Sequence, residues 1–128
     1  MSENSNEGRD LVAVYGTLKR GNSNHGLISD ARFLGRDRLK SIRLYDLGPW
    51  PGAVAGTSSG IDVEVYEVNE QQMERMDEIE DYRPGSPESG LFIRRRFSSR
   101  YGDAWVYLYQ GSTLGRRPIM RGSWPLQQ

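Results

Sequence analysis

Few side chains in this sequence are equipped for chemistry. There is no cysteine and a single histidine, His25, so cysteine nucleophiles, disulfide scaffolds, zinc–thiolate sites and iron–sulfur clusters are excluded together. His25 lies in a polar loop and reads as a bystander. Carboxylates remain, and one stands in an unusual place. Asn69–Tyr82 has the pattern of a helix: Asn69 is a good N-cap, Gln72 stands where a capping box needs it, Val68 can staple to Met73, and Tyr82-Arg83-Pro84-Gly85 supplies the stop. At roughly 100° per residue, Met73, Met76 and Ile79 define an apolar stripe, and Glu80 falls inside it, about 20° from Met73. Asp77 sits at the edge of the stripe, while Glu74 and Glu78 point outward.

A carboxylate on an apolar face is costly to ionise. Desolvation, the neighbouring acids Asp77, Glu78 and Asp81, and the negative end of the helix dipole all push the Glu80 pKa upward. A glutamate tuned toward neutrality suits general acid/base catalysis. A pair between Glu80 and an arginine of the following strand would lower the pKa instead, and the helical pattern alone does not decide between the two.

The second candidate is a stretch of backbone. YGTLKRG (Tyr15–Gly21) follows a short apolar run, LVAVY, and holds no obvious catalytic side chain. A glycine directly after a strand lets consecutive N–H groups turn toward one point and form a concave anion site. Thr17 adds a hydroxyl, and Lys19 and Arg20 add charge nearby. The spacing of a P-loop is missing, and an ordinary strand-to-turn exit fits the same residues.

The elements that must position these groups are mostly strands. Leu11–Tyr15 is a buried strand; Asn22–Ile28 holds a short helix; Phe33–Leu47 holds one or two strands with a turn near Gly35–Asp37. Gly48–Gly60 is loop-like, and in it Trp50 lies between two prolines that stiffen its backbone, which suits a pocket wall. Ile61, Val63 and Val65 alternate with Asp62, Glu64 and Tyr66 as a strand should. Leu91–Phe97 and Ala104–Tyr109 form a hairpin across Ser98–Asp103, with Ala104, Val106 and Leu108 on one face and Trp105, Tyr107 and Tyr109 on the other. Ile119, Trp124 and Leu126 anchor the polar tail. About six strands to one main helix predict an α+β protein, a closed or nearly closed sheet with a helix packed on it.

At 128 residues, one domain over residues 11–128 is expected, preceded by a disordered lead-in over residues 1–10. Seventeen basic residues balance seventeen acidic ones, so no global field recruits nucleic acid or an anionic membrane. No run approaches the roughly 20 apolar residues of a membrane span, and a soluble cytoplasmic protein is the expectation. The charges are unevenly laid out. Asp62–Asp81 carries nine acids against Arg75, and Leu91–Arg121 carries seven arginines against Asp103. Mutual neutralisation of the two segments accounts for this, as would a basic face led by Arg94, Arg95 and Arg96 for an anionic ligand.

YGTLKRG, GPWPG, IDVEVYEV and MDEIEDY stand in the order found in the γ-glutamylcyclotransferase-like family, and the sequence resembles that family from about Leu11 to Gln110. The resemblance implies a small mixed β-barrel with helices outside and one cavity. It implies that the backbone of Tyr15, Gly16, Thr17 and Leu18 holds the α-carboxylate and amine region of a γ-glutamyl group, that Glu80 is the general acid/base, that Trp50 and Pro51 form part of the rim, and that Tyr109 lies toward the cavity. Two positions depart from the family pattern. Val63 stands where glycine is usual, narrowing the cavity, and Phe92 stands where tyrosine is usual, removing a hydroxyl.

The expected function is conversion of a γ-glutamyl amine or peptide to 5-oxoproline and free amine, with a small-molecule substrate and no metal, cofactor, nucleic-acid or membrane partner. Which amine departs is open, as is the oligomeric state. The alternatives are a non-enzymatic small-molecule-binding barrel of the same fold and, behind it, a carbohydrate-binding module using Trp105, Tyr107 and Tyr109 as a stacking face.

Overall fold

The computed structural model describes residues 9–125. In chain order the elements are β1 (Arg9–Val14), a 3-10 turn (His25–Ile28), β2 (Arg32–Leu39), β3 (Ile42–Asp46), β4 (Pro51–Ala55), β5 (Ile61–Asn69), α1 (Glu70–Ile79), a second 3-10 turn (Pro87–Ser89), β6 (Phe92–Ser99), β7 (Gly102–Tyr109) and β8 (Arg117–Pro118). The strands form one curled, half-barrel sheet in the order β2-β5-β1-β7-β4-β3-β8, with β6 beside β7 and α1 outside. The fold is α+β, as the strand pattern predicts.

Several boundaries differ from the sequence reading, each because pairing overrides local preference. β1 begins at Arg9, within the expected lead-in, because Arg9 and Asp10 pair with Asn69 and Val68 of β5; residues 1–8 lie outside the described residues, as does Leu126. No turn forms at Gly35–Asp37: these residues pair in register with Val65, Glu64 and Val63 of β5, just after a register shift between Phe33 and Gly35, and the chain reverses at Lys40–Ser41 instead. Gly48–Gly60 is not all loop. Pro51–Ala55 is β4, a segment of poor strand formers held by antiparallel pairing with β3 and by β7. β4 and the two-residue β8 raise the strand count from about six to eight among the described residues.

Both faces of the central strands are buried, which is why they read as near-continuous apolar runs. Ala13, Val63, Val65, Ala104, Val106 and Leu108 fill the inside of the curl. Val12, Val14, Tyr66, Val68 and Tyr107 face outward onto Met73 and Met76 of α1. Trp105, Tyr107 and Tyr109 do share a face, but it is no open sugar-stacking shelf: Tyr107 is buried, Trp105 lies between the guanidinium groups of Arg94 and Arg96, and Tyr109 packs on Phe92.

One feature of the sheet creates the space for a site. β6 pairs along the whole of β7, so β1 and β4 share the opposite edge, β1 at Trp105 and β4 at Leu108. Past that point β1 and β4 diverge. The Tyr15 hydroxyl bridges the split, donating to the Tyr107 carbonyl at 2.7 Å and accepting from the Ala53 N–H at 3.1 Å. Tyr15→Phe should leave two buried backbone groups unpaired and lower unfolding free energy by about 1–3 kcal/mol; urea titration that finds no loss would show that the bridge is dispensable.

Candidate active site

The helix positions its last residues through both of its ends. At the start, Asn69 accepts from the Gln72 N–H and the Gln72 side chain accepts from the Asn69 N–H, both at 2.8 Å, completing the predicted capping box. At the end, the Tyr82 N–H donates to the Asp77 carbonyl at 2.9 Å and the Asp81 N–H to the Glu78 carbonyl at 3.2 Å. That is a Schellman motif, and Asp81 takes the left-handed conformation (φ 55°) usually given to glycine. Asp81 is held there by Leu91, whose N–H bonds its carbonyl and carboxylate, each at 3.0 Å. Gly90 permits the approach, since a Cβ there would stand 2.2 Å from the Asp81 carbonyl oxygen. Glu80 is thereby fixed as the C-cap residue.

The apolar stripe of α1 is shifted from the sequence reading. Ile79 is 48% exposed and Asp77 only 7%. Asp77 tolerates burial because three donors reach it: Arg94 Nε at 2.8 Å, Arg94 Nη2 at 3.1 Å and the Tyr107 hydroxyl at 2.6 Å. Tyr82 and Trp105 flank the Arg94 guanidinium, 4.9 and 4.5 Å from it. The acidic and basic segments do neutralise each other at this point, through Asp77 rather than Glu80. Among the described residues no donor or cation pairs with the Glu80 carboxylate. Burial, followed by the charge on Asp77, pushes its pKa up to about 7. Burial and the Asp77 carboxylate also raise the Tyr107 hydroxyl far beyond the physiological range.

The loop after β1 is organised from within. The Gly16 carbonyl accepts from the Lys19 N–H and Asn22 Nδ2, the Thr17 carbonyl from the Asn24 N–H, and the Leu18 carbonyl faces His25 Nδ1 at 2.9 Å. Glu64, itself buried, accepts from the Arg20 N–H at 2.8 Å and ties down the far end. With these carbonyls engaged inside the loop, the N–H groups of Gly16, Thr17 and Leu18 donate to no partner among the described residues. Gly16 packs so closely on Pro51 that a Cβ would stand 3.0 Å from its ring.

Loop and helix end meet across a cavity of about 300 Å³ where β1 and β4 part. Tyr15, Gly16, Thr17, Leu18, Trp50, Pro51 and Glu80 all line it. Tyr109 does not: the β7 tyrosine in the wall is Tyr107, because Tyr109 turns against Phe92 and fills the space above Gly52. Val63 lies in the inner core and leaves this cavity's width unaffected, whereas Phe92 is in its wall. Asp77 raises the Glu80 pKa as the sequence reading expects, but sequence reasoning missed its pairing with Arg94 and Tyr107 and the part played by Glu64, and His25 supports the loop rather than standing by. The usable signals were the strand parity that puts Arg94 opposite Tyr107 and the two positions that separate Glu64 from Tyr66. Among the described residues no three His, Asp or Glu side chains converge as metal ligands do, and no helix is long and apolar enough to cross a membrane.

A family model described as gamma-glutamyl cyclotransferase, AIG2-like, matches residues 12–126. The chain belongs to that family. A relative from Vibrio cholerae is 37% identical over 115 residues, covering 89% of this chain and 94% of its own. The Escherichia coli gamma-glutamylcyclotransferase family protein YtfP is 30% identical over 113 residues, 88% of this chain and 94% of its own. The crystal structure of an AIG2-like protein from Mus musculus superposes with a TM-score of 0.74 at 25% identity, over 91% of this chain and 88% of that one.

Two titrations test the electrostatics of this site. Asp77→Asn removes the charge that assists burial in raising Glu80, so the Glu80 side-chain carbon resonance should titrate at lower pH than in the unaltered protein; an unmoved midpoint would assign the whole shift to burial. Because the folded pKa of about 7 lies above the ordinary 4.5, the relative stability associated with Glu80 is full below about pH 4.5 and is lost as pH rises through 7. Glu80→Gln escapes that loss. Its unfolding free energy should exceed that of the unaltered protein at pH 8 by up to about 3 kcal/mol, and the gap should close near pH 4.5. A gap independent of pH would contradict the raised pKa.

Proposed function

We propose that this protein is a γ-glutamyl cyclotransferase that converts a γ-glutamyl amine or peptide to 5-oxoproline and a free amine, with Glu80 as general acid and base. The observation that carries this reading is the placement on one small cavity of a proton-accepting carboxyl (Glu80) and three backbone N–H groups (Gly16, Thr17, Leu18) that have no partner among the described residues. Family membership supports it, as does the resemblance of YGTL and of the glutamate at position 80 to the family's motifs.

In this reaction the substrate brings its own nucleophile. The α-ammonium gives a proton to the Glu80 carboxylate, and the freed amine attacks the γ-carbonyl carbon to close a five-membered ring. As the C–N bond to the departing amine breaks, protonated Glu80 delivers its proton to that nitrogen. The second proton shed by the ring nitrogen follows the same route. Two protons thus leave the α-ammonium and two end on the departing amine, which exits as an ammonium ion. A carboxyl near pKa 7 is matched to both directions of transfer at neutral pH.

The N–H groups of the loop hold the α-carboxylate, and with Thr17 they fold the chain so that amine and carbonyl meet. Trp50 and Pro51 close one side, and Tyr107 takes the wall position that the resemblance gives to Tyr109. The loop N–H groups also lie close enough to the cavity to stabilise charge developing on the γ-carbonyl oxygen. The reaction uses no metal, nucleotide or thiol.

Mass spectrometry on a panel of γ-glutamyl amines and peptides should detect 5-oxoproline from at least one member. Glu80→Gln should keep the circular dichroism of the unaltered protein and lose about 100-fold to 10,000-fold in turnover, and kcat/KM should rise with pH through about 7. Undiminished turnover by folded Glu80→Gln would sink the assignment. Binding of γ-glutamyl compounds with no product would favour a ligand-holding protein of the same fold.

A further inference from the structure

The half of the cavity that would meet the departing amine has its own chemistry. Among the described residues six large hydrophobic side chains are exposed, and three of them, Trp50, Ile79 and Leu91, line this one cavity. They come from the β3–β4 loop, the last turn of α1 and the residue before β6, so their meeting is a product of the tertiary fold. Scattered exposed hydrophobics are ordinary on a protein surface, whereas a convergent set beside a cleft marks a place where apolar matter is covered.

The same wall lacks positive charge. No lysine or arginine lines the cavity among the described residues. Its second acid, Asp81, is spent on structure: one oxygen accepts from Arg83 Nε at 3.1 Å and the other from the Leu91 N–H at 3.0 Å. A departing group that carries a carboxylate would meet Glu80 and Asp81 with no cation to pair with. One that carries an ammonium would have to shed water against Trp50, Ile79 and Leu91. An uncharged apolar group meets neither cost and covers the exposed side chains.

We infer that the preferred substrates are γ-glutamyl amides of uncharged apolar or aromatic amines, selected by Trp50, Ile79 and Leu91 at the cavity mouth. This rests on the cyclisation reading for the inner half of the site and adds the identity of the outer half.

Three probes with the same γ-glutamyl half separate the possibilities: γ-glutamyl benzylamide, γ-glutamylglycine and ε-(γ-glutamyl)lysine. The benzylamide should show a kcat/KM at least about tenfold above either charged compound, and Trp50→Ala and Leu91→Ser should each reduce that ratio. Equal or better turnover of a charged compound would overturn the inference while leaving cyclisation intact. If no probe yields 5-oxoproline, the cyclisation reading fails. Calorimetry on Glu80→Gln then tests the mouth alone: tighter binding of the benzylamide than of γ-glutamylglycine supports it, and equal affinity overturns it.

Discussion

Tyr107 carries the two bonds on which both halves of the site hang. Its main-chain carbonyl accepts from the Tyr15 hydroxyl, which fixes the point where β1 and β4 part and the loop begins. Its side-chain hydroxyl donates to Asp77 and so fixes the end of α1. One residue near the middle of the sheet therefore sets the separation of the loop N–H groups from Glu80. Both bonds are buried, where an unpaired partner costs far more than a solvated one, so neither half can drift without a penalty.

The electrostatics follow from the same arrangement. Asp77 and Glu80 lie three residues apart on one side of α1, and among the described residues one partly buried cation, Arg94, reaches this pair and goes to Asp77. Arg94 grips Asp77 with two bonds, and with Tyr107 this saturates that carboxylate. Among the described residues Glu80 receives no partner, and it feels the Asp77 charge in addition to its own burial. Had Arg94 reached Glu80 instead, the carboxyl on the cavity would be a firm anion and a poor proton carrier. The ion pair is thus a fixture of the scaffold that leaves its neighbour reactive, and removing either partner would leave a buried charge uncompensated.

The split in the sheet does the complementary work on the other wall. Because β1 leaves the edge of β7 where β4 joins it, the residues after β1 have no strand to pair with. Their carbonyls turn to Lys19, Asn22, Asn24 and His25 within the loop, and the matching N–H groups are left over. Glycine at position 16 lets the loop pack tightly on Pro51, where a Cβ would crowd the proline ring, so the loop motif and the proline of the rim are parts of one contact.

Much of this was legible in the residues. The capping box, the face-by-face alternation of β7, the unusual position of Glu80 and the glycine after β1 are local patterns. Local patterns are governed by φ/ψ preference, side-chain period and the short reach of capping groups, all of which act within a few residues. β4 could not be read from Pro51-Gly52, nor could the choice of Tyr107 over Tyr109 for the cavity wall, since both tyrosines share a face of one strand. Whether Glu80 or Asp77 took the arginine was equally closed to a helical wheel, which orders the carboxylates by angle but does not say what lies opposite. By itself, then, the sequence determined the helix and most of the strands, though not β4 or β8, and the groups that those elements present. Only the tertiary structure decided which carboxylate is neutralised and which residues face the cavity, because long-range pairing brings Arg94 to Asp77 and parts β1 from β4.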